Sequence, residues 1–296
     1  MIKSKSYWRY QILINAVMIL ITLIMVFPLV LLFMSSISSD ASLLKYGYSF
    51  FPREFSLAAY QYILANGTTL FRAYGMTILV TIIGTILNLT LSSSMAYALS
   101  VKKLPFRNII SFYVFFTMLF NGGLVPSYLM WSNVFHIKNT IWALIVPNFM
   151  LSAMNVILIR TYFMTSIPEA LYEAGKIDGA SYFYIFRKIV LPMGTPILVT
   201  MGLFTGLSYW NDWTNGLYYV NDTKLYTVQL LLNKMIQDAQ ALQANASASS
   251  ANALMKIPTV SVRMAIAFVA LLPILVIYPF LQKYFAKGIA LGAVKG

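Results

Sequence analysis

The chain has 296 residues, 59% of them apolar and only 10% charged, with a mean hydropathy of +0.74. That balance excludes an ordinary soluble domain and points to an all-α polytopic membrane protein. The absence of cysteine excludes disulfide frameworks and thiolate metal sites. The net charge of +13 is scattered between apolar runs, so topology accounts for it better than nucleic acid does.

Six apolar runs come near or above the ~20 residues that a bilayer demands: 11–34, 73–101, 108–130, 139–159, 189–210 and 264–282. The first follows Lys3, Lys5 and Arg9. It is too long for a signal-peptide core and lacks a small-residue cleavage site, so it reads as a retained span. An even number of spans puts both termini on one side. Thirteen Lys and Arg fall on the side of the termini and eight on the other, where the loops are much longer; the termini are therefore expected in the cytoplasm. No internal repeat interrupts the chain, which reads as a single transmembrane domain over 1–296. None of the six runs contains Asp, Glu, Lys, Arg or His. Proton- and ion-coupled carriers usually place ionisable groups at membrane depth. Their absence favours an externally driven transporter, while leaving open a self-sufficient channel or secondary carrier that uses backbone carbonyls and half-helix ends.

Between the first two spans, residues 35–72 form a long outer segment with aromatics and Pro52. Asn88, Asn148 and Asn155 are polar residues within spans; interhelical hydrogen bonding explains them better than a role in lining a pathway. Gly122-Gly123 lacks the rest of any phosphate-binding pattern and reads as a turn or a close helix contact. His136 is the only histidine and stands in a short outer loop, far from a carboxylate, so it makes no metal site.

The stretch from Ser166 to Ser181 holds three of the eight acidic residues in a loop expected on the cytoplasmic side. Ser166 with Glu169 reads as a capping box, and Pro168 fits a first helical turn. Ile167, Ala170, Leu171, Ala174 and Ile177 repeat at helical spacing as one apolar stripe, with Glu169, Glu173 and Lys176 off it. Gly179 after Asp178 is a natural helix stop, and 182–189 can form a second short helix. An acidic helix-turn-helix between spans is a place for another protein to dock, although a solvated amphipathic loop without a partner shows the same periodicity.

Span five ends on Tyr209-Trp210-Asn211-Asp212-Trp213, with Tyr218 and Tyr219 close behind. Aromatic faces stack on pyranose rings, but an interfacial belt of Trp and Tyr accounts for the same cluster; Asn211 and Asp212 are less expected in a belt and could meet a sugar or an outside protein. The following outer loop, 211–263, includes an Ala/Gln/Ser/Asn-rich stretch over 238–252, expected to be partly helical and mobile.

Glu173-Ala174, a short spacer, Asp178-Gly179-Ala180 and then Ile189-x-Leu191-Pro192 resemble the "EAA" loop of ABC importer permeases. Gly175 stands where that family usually has Ala or another small residue. The C-terminal stretch, Ser261 to Ala265 and Tyr278 to Gly296, resembles the maltose-type carbohydrate-uptake permeases, in the MalG-like subunit. Phe120 to Tyr128 is similar to a subgroup associated with polysaccharide and complex-oligosaccharide uptake.

The resemblance implies one transmembrane subunit of a binding-protein-dependent sugar importer in the bacterial cytoplasmic membrane, working by alternating access. It implies a second related permease, two cytoplasmic ATPases that hold ATP and Mg, an extracellular solute-binding protein, and no cofactor or catalysis in this chain. Glu169, Glu173, Ala174, Gly175, Asp178, Gly179 and Ala180 would form the coupling helix between spans four and five. Lys287, Gly288, Gly292 and Lys295 would belong to a C-terminal tail that contacts the ATPases. Tyr209 to Trp213, Asn148 and Asn155 are the candidates for substrate or binding-protein contact, although in this family the partner permease can hold most sugar contacts. A membrane enzyme finds only Asp212 and His136 for acid–base work. An assembly or sensor subunit on the same fold is a further reading.

Overall fold

The computed structural model describes residues 5–65, 67–147, 149–244 and 259–293. In chain order the helices are α1 (Lys5–Ser36), α2 (Asp40–Tyr46), α3 (Ala58–Ala65), α4 (Gly67–Ser100), α5 (Arg107–Leu119), α6 (Leu124–Leu129), α7 (Trp142–Ile145), α8 (Ala153–Ser166), α9 (Glu169–Ile177), α10 (Tyr182–Ile185), α11 (Leu191–Met193), α12 (Thr195–Trp210), α13 (Thr214–Tyr219), α14 (Val228–Ala244) and α15 (Thr259–Ala293). One π-helical turn follows α6 at Met130–Val134, and another joins α10 to α11 at Phe186–Val190. The chain divides into two compact units: residues 1–70 with 232–275, and residues 71–231 with 276–296.

In the first unit α1 is apolar on every side, and Leu13, Leu20, Leu23, Ile24 and Met25 are all exposed. Such a helix suits lipid rather than water. Ser39 caps α2 through Ser42 N–H, and its hydroxyl donates to Glu54. The Asp40 carboxylate accepts from Ser261 N–H at 2.7 Å and from Val260 N–H at 3.4 Å. It thereby satisfies first-turn donors of α15 that have no partner within that helix.

In the second unit α4 is the central strut. Its lower half packs with α5, α8 and α12 in a core of Ala96, Leu99, Val114, Val156, Ile159, Phe163, Val190 and Met201. Its upper half packs Val80 against Ala143, Leu144, Ile145, Tyr209 and Tyr219. Between the two cores lies a buried polar knot. Asn155 donates to Asn88 Oδ1 and to Thr205 Oγ1, both at 2.9 Å, and Asn88 donates to Phe149 C=O at 2.6 Å. This knot ties α4, α8 and α12 at one level, and each amide would be costly to bury without it.

Several apolar runs prove not to be single helices. Among the described residues two helices, Tyr10–Ser36 and Gly67–Ser100, are long and apolar enough to cross a membrane unbroken, or up to four if each of two bent pairs counts once. The run 108–130 breaks after Leu119 and turns by 112° into Leu124–Val134. There Gly123 takes φ +89°, which side chains resist, and its N–H is held by Asn121 Oδ1. The run 139–159 is divided too: Asn139 is left-handed, α7 lasts four residues, and Ser152 caps a fresh helix, α8, that runs on to Ser166. The run 189–210 bends by 79° at Gly194. Of the Ala/Gln/Ser/Asn-rich stretch, 238–244 is the end of α14, while 245–252 lies outside the described residues.

Candidate functional site

α9 and its following turn form a compact module at the foot of the second unit. Its start differs from the capping box expected at Ser166 and Glu169. Ser166 is the last residue of α8, Ile167 is extended, and Pro168 is the N-cap with no side-chain cap bond. The cause is twofold: Phe163 anchors the end of α8 in the core, and the residue before a proline avoids helical geometry. Glu169, freed from capping, pairs with Lys102 at 2.6 Å, both side chains being largely exposed. A pair so open to water contributes at most about 1 kcal/mol.

The end of α9 matches the expectation and shows why. Gly179 takes φ +74°, with Gly179 N–H donating to Lys176 C=O at 3.1 Å and Ala180 N–H to Gly175 C=O at 2.9 Å. These two bonds make a Schellman motif, which satisfies carbonyls the helix leaves open. Ser181 then caps α10 through Tyr184 N–H. Nothing lies within 4 Å of a Cβ built on Gly179, so only its backbone restricts substitution. Gly179→Val is expected to cost about 1–2 kcal/mol locally, read as faster amide exchange across α9; unchanged exchange would show that the turn accepts valine.

Gly175 is buried, and a Cβ there would meet Ile185 Cγ1 at 3.1 Å and Cδ1 at 3.3 Å. The glycine therefore lets α9 lie close on α10. Beside it Tyr97 stacks on Phe186 at 5.1 Å and on Tyr172 at 6.4 Å, and its hydroxyl donates to Tyr182 C=O at 3.1 Å. The core-facing side of α9 is thus Tyr172 and Gly175. Of the stripe expected to be apolar, only Ile167 is buried. Ala170, Leu171, Ala174 and Ile177 point outward, Ile177 at 85% exposure. Glu173, Lys176 and Asp178 are also exposed, and among the described residues neither Glu173 nor Asp178 has an ion pair. Tyr182, Phe183 and Tyr184 extend the exposed surface, with Lys176 over the Tyr182 ring at 5.3 Å.

The aromatic cluster after α12 is split by burial. Tyr209 is 1% exposed, neither a belt residue nor an open stacking face. Its ring fills the space beside Gly84, where a Cβ would collide with it, and its hydroxyl donates to Ile145 C=O at 2.8 Å. Trp210 is buried as well. Asp212 is buried and braces the first turn of α13, its Oδ1 accepting from Thr214 N–H, Thr214 Oγ1 and Asn215 N–H. Burial pushes its carboxyl above the usual range, against those hydrogen bonds, which pull it down. Asn211, Trp213 and Tyr218 remain exposed, and Asn211 bonds Leu207 C=O. Asn155 belongs to the interhelical knot, and Asn148 lies outside the described residues. Lys287, Gly288 and Gly292 lie on α15, their surroundings outside the described side chains, and Lys295 lies outside the described residues.

Two features escaped sequence reasoning. Gly194 sits at the bend into α12, where a Cβ would lie 2.5 Å from Phe163 Cε1 and 2.9 Å from Val190 C=O. Tyr128 stacks on Tyr219 at 5.8 Å, with Lys138 Nζ 3.0 Å from its hydroxyl, on the side of the unit that carries Asn139. The glycine beside two prolines signals a bend, but no local pattern pairs Tyr128 with a residue ninety positions on.

The family described as "Binding-protein-dependent transport system inner membrane component" matches residues 88–291. The chain is 35% identical to the polygalacturonan/rhamnogalacturonan transport system permease protein YtcP of Bacillus subtilis (strain 168), over 97% of this chain and 98% of that one. It is 26% identical to the arabinooligosaccharides transport system permease protein AraQ of the same organism, over 99% of each. A chain in the crystal structure of a bacterial ABC transporter involved in the import of the acidic polysaccharide alginate matches with a TM-score of 0.80 and 28% identity, over 96% of this chain and 99% of that one.

Proposed function

This chain belongs to the binding-protein-dependent transport system inner membrane component family and is a permease component of an ABC importer for sugar or polysaccharide; on that premise we propose how its surfaces divide the work. α9, with the Gly179 turn, is the helix that docks on a cytoplasmic ATPase. The observation that carries this is burial. Leu171, Ala174 and Ile177 face away from the core of their own chain, flanked by the carboxylates of Glu173 and Asp178, which have no ion pair among the described residues. An apolar centre with a charged rim is the make-up of a protein interface.

In this reading ATP and Mg are held by two partner ATPases, and this chain hydrolyses nothing. A second related permease completes the pathway, and an extracellular binding protein delivers an oligosaccharide or polysaccharide fragment. The Lys and Arg asymmetry supports both termini in the cytoplasm of a bacterial cell; six crossings require the apolar runs 139–159 and 264–282 in addition to the up to four counted among the described residues. Lys287 to Lys295 would reach the ATPases, and exposed Trp213 and Tyr218 are the residues of the outer cluster best placed to meet the binding protein or sugar.

Motion of the ATPases would reach the membrane through defined contacts. A push on α9 passes by the Gly175–Ile185 contact and the Tyr97 stack into the core that holds the ends of α4 and α8. The Asn88–Asn155–Thr205 knot makes α4, α8 and α12 respond together. Alternating access then follows as a shift of that body, not a remodelling of single side chains.

The test is isolation of the chain from its native membrane in mild detergent, with mass spectrometry of what stays bound. A second permease and an ATPase are expected. Recovery of this chain alone, with sugar or ion flux on reconstitution, would overturn the reading in favour of a carrier or channel.

A further inference from the structure

At the lower end of α4 two arginines converge on one oxygen. Arg107 Nε, from the start of α5, donates to Leu99 C=O at 2.8 Å, and Arg160 Nε, from α8, donates to the same carbonyl at 3.1 Å. Two such bonds leave the Nε atoms at most about 6 Å apart. A carbonyl at a helix C-terminus carries partial negative charge and favours cations, but one carbonyl does not neutralise two of them. Each guanidinium has five donors. Arg160 spends one on Leu99, and Arg107 spends one there and one on Met164 Sδ at 3.2 Å. Among the described residues neither meets a carboxylate. Both are half-buried, so water shields their mutual repulsion only in part.

The pair lacks an acceptor with several oxygens and a negative charge, which is what a phosphate offers to arginine. Its surroundings identify the source. Phe106 is 74% exposed, and Ile109, Ile110 and Met164 beside the pair are exposed as well. A free ion gains nothing from that apolar rim, whereas a phospholipid lays its acyl chains along it. We infer that Arg107 and Arg160 form a binding site for the head-group phosphate of an anionic phospholipid, with its acyl chains against Phe106, Ile110 and Met164. The site lies on the second unit beside Lys102, whose partner Glu169 opens α9. Lipid bound there brings charge balance to the elements that support that helix.

The test is native mass spectrometry of the detergent-purified chain with its copurifying subunits, titrated with phosphatidylglycerol or with phosphatidylcholine of identical acyl chains. Phosphatidylglycerol is expected to be retained about 30-fold more strongly, and excess inorganic phosphate should not displace it. Arg107→Gln/Arg160→Gln should bring phosphatidylglycerol down to the phosphatidylcholine level. Arg107→Lys/Arg160→Lys, which keeps the charge, should retain part of the preference and serves as the folding control. Equal retention of the two lipids by the wild-type protein would overturn the proposal without any variant. Displacement by inorganic phosphate would make it a free-anion site instead. A cross-link from this site to an acidic segment of a copurifying protein would give the arginines to that partner.

Discussion

Glu173→Lys is expected to abolish ATP-driven uptake while leaving the chain folded and inserted. Glu173 is exposed on α9 and has no ion pair among the described residues, so the folded chain loses no contact of its own. Surface changes of that kind stay within about 0.5 kcal/mol. Against a basic residue of an ATPase the same change replaces attraction by repulsion, and disrupting a desolvated interfacial charge pair costs about 2–5 kcal/mol. That is enough to lower occupancy of the complex by more than tenfold. Uptake of labelled oligosaccharide, ATPase copurification and thermal unfolding separate the two effects. Ile177→Asp should give the same pattern through loss of apolar contact, since its 85% exposure makes it free of the chain's own core. Uptake at the wild-type rate in both variants would remove α9 from the docking role.

Gly194→Ala is expected to damage the fold instead. The added Cβ would stand 2.5 Å from Phe163 Cε1, and Phe163 is fully buried among Val156, Ile159 and Val190. A ring held on all sides has nowhere to move, and overpacking of this kind costs about 1–3 kcal/mol or more. The expected result is a lower melting temperature in detergent and poor recovery from the membrane. Phe163→Leu should recover part of the loss in the double variant, because it vacates the space that Gly194→Ala fills, and such neighbours are non-additive. A wild-type melting temperature for Gly194→Ala alone would mean that the bend opens freely.

What could be read from the sequence depended on how local its cause was. Gly179 was legible because a glycine after the last polar turn ends a helix by its own backbone preference, and φ +74° follows. The repeat of Ala170, Leu171, Ala174 and Ile177 was legible as a stripe, but not the direction it faces. Periodicity is the same whether the surface that covers a stripe belongs to the same chain or to another. The capping box at Ser166 failed because α8 runs on through it, held by Phe163 in a core assembled from distant residues. Breaks at Gly123, Ser152 and Gly194 were hidden within apolar runs, since hydropathy averages over the turn chemistry that bends them. Tyr209 looked like a belt residue from its neighbours; its burial is caused by Gly84, more than a hundred positions earlier.

The outward stripe of α9 also bears on how such a chain is made. If companions cover α9 as proposed, a subunit synthesised in excess over them would leave Leu171 and Ile177 bare, beside Tyr182, Phe183 and Tyr184. Uncovered apolar side chains in that number invite aggregation and recognition by proteases. With α9 in the proposed docking role, balanced production of the subunits is expected, and orphan copies would carry in this nine-residue helix their own mark for removal.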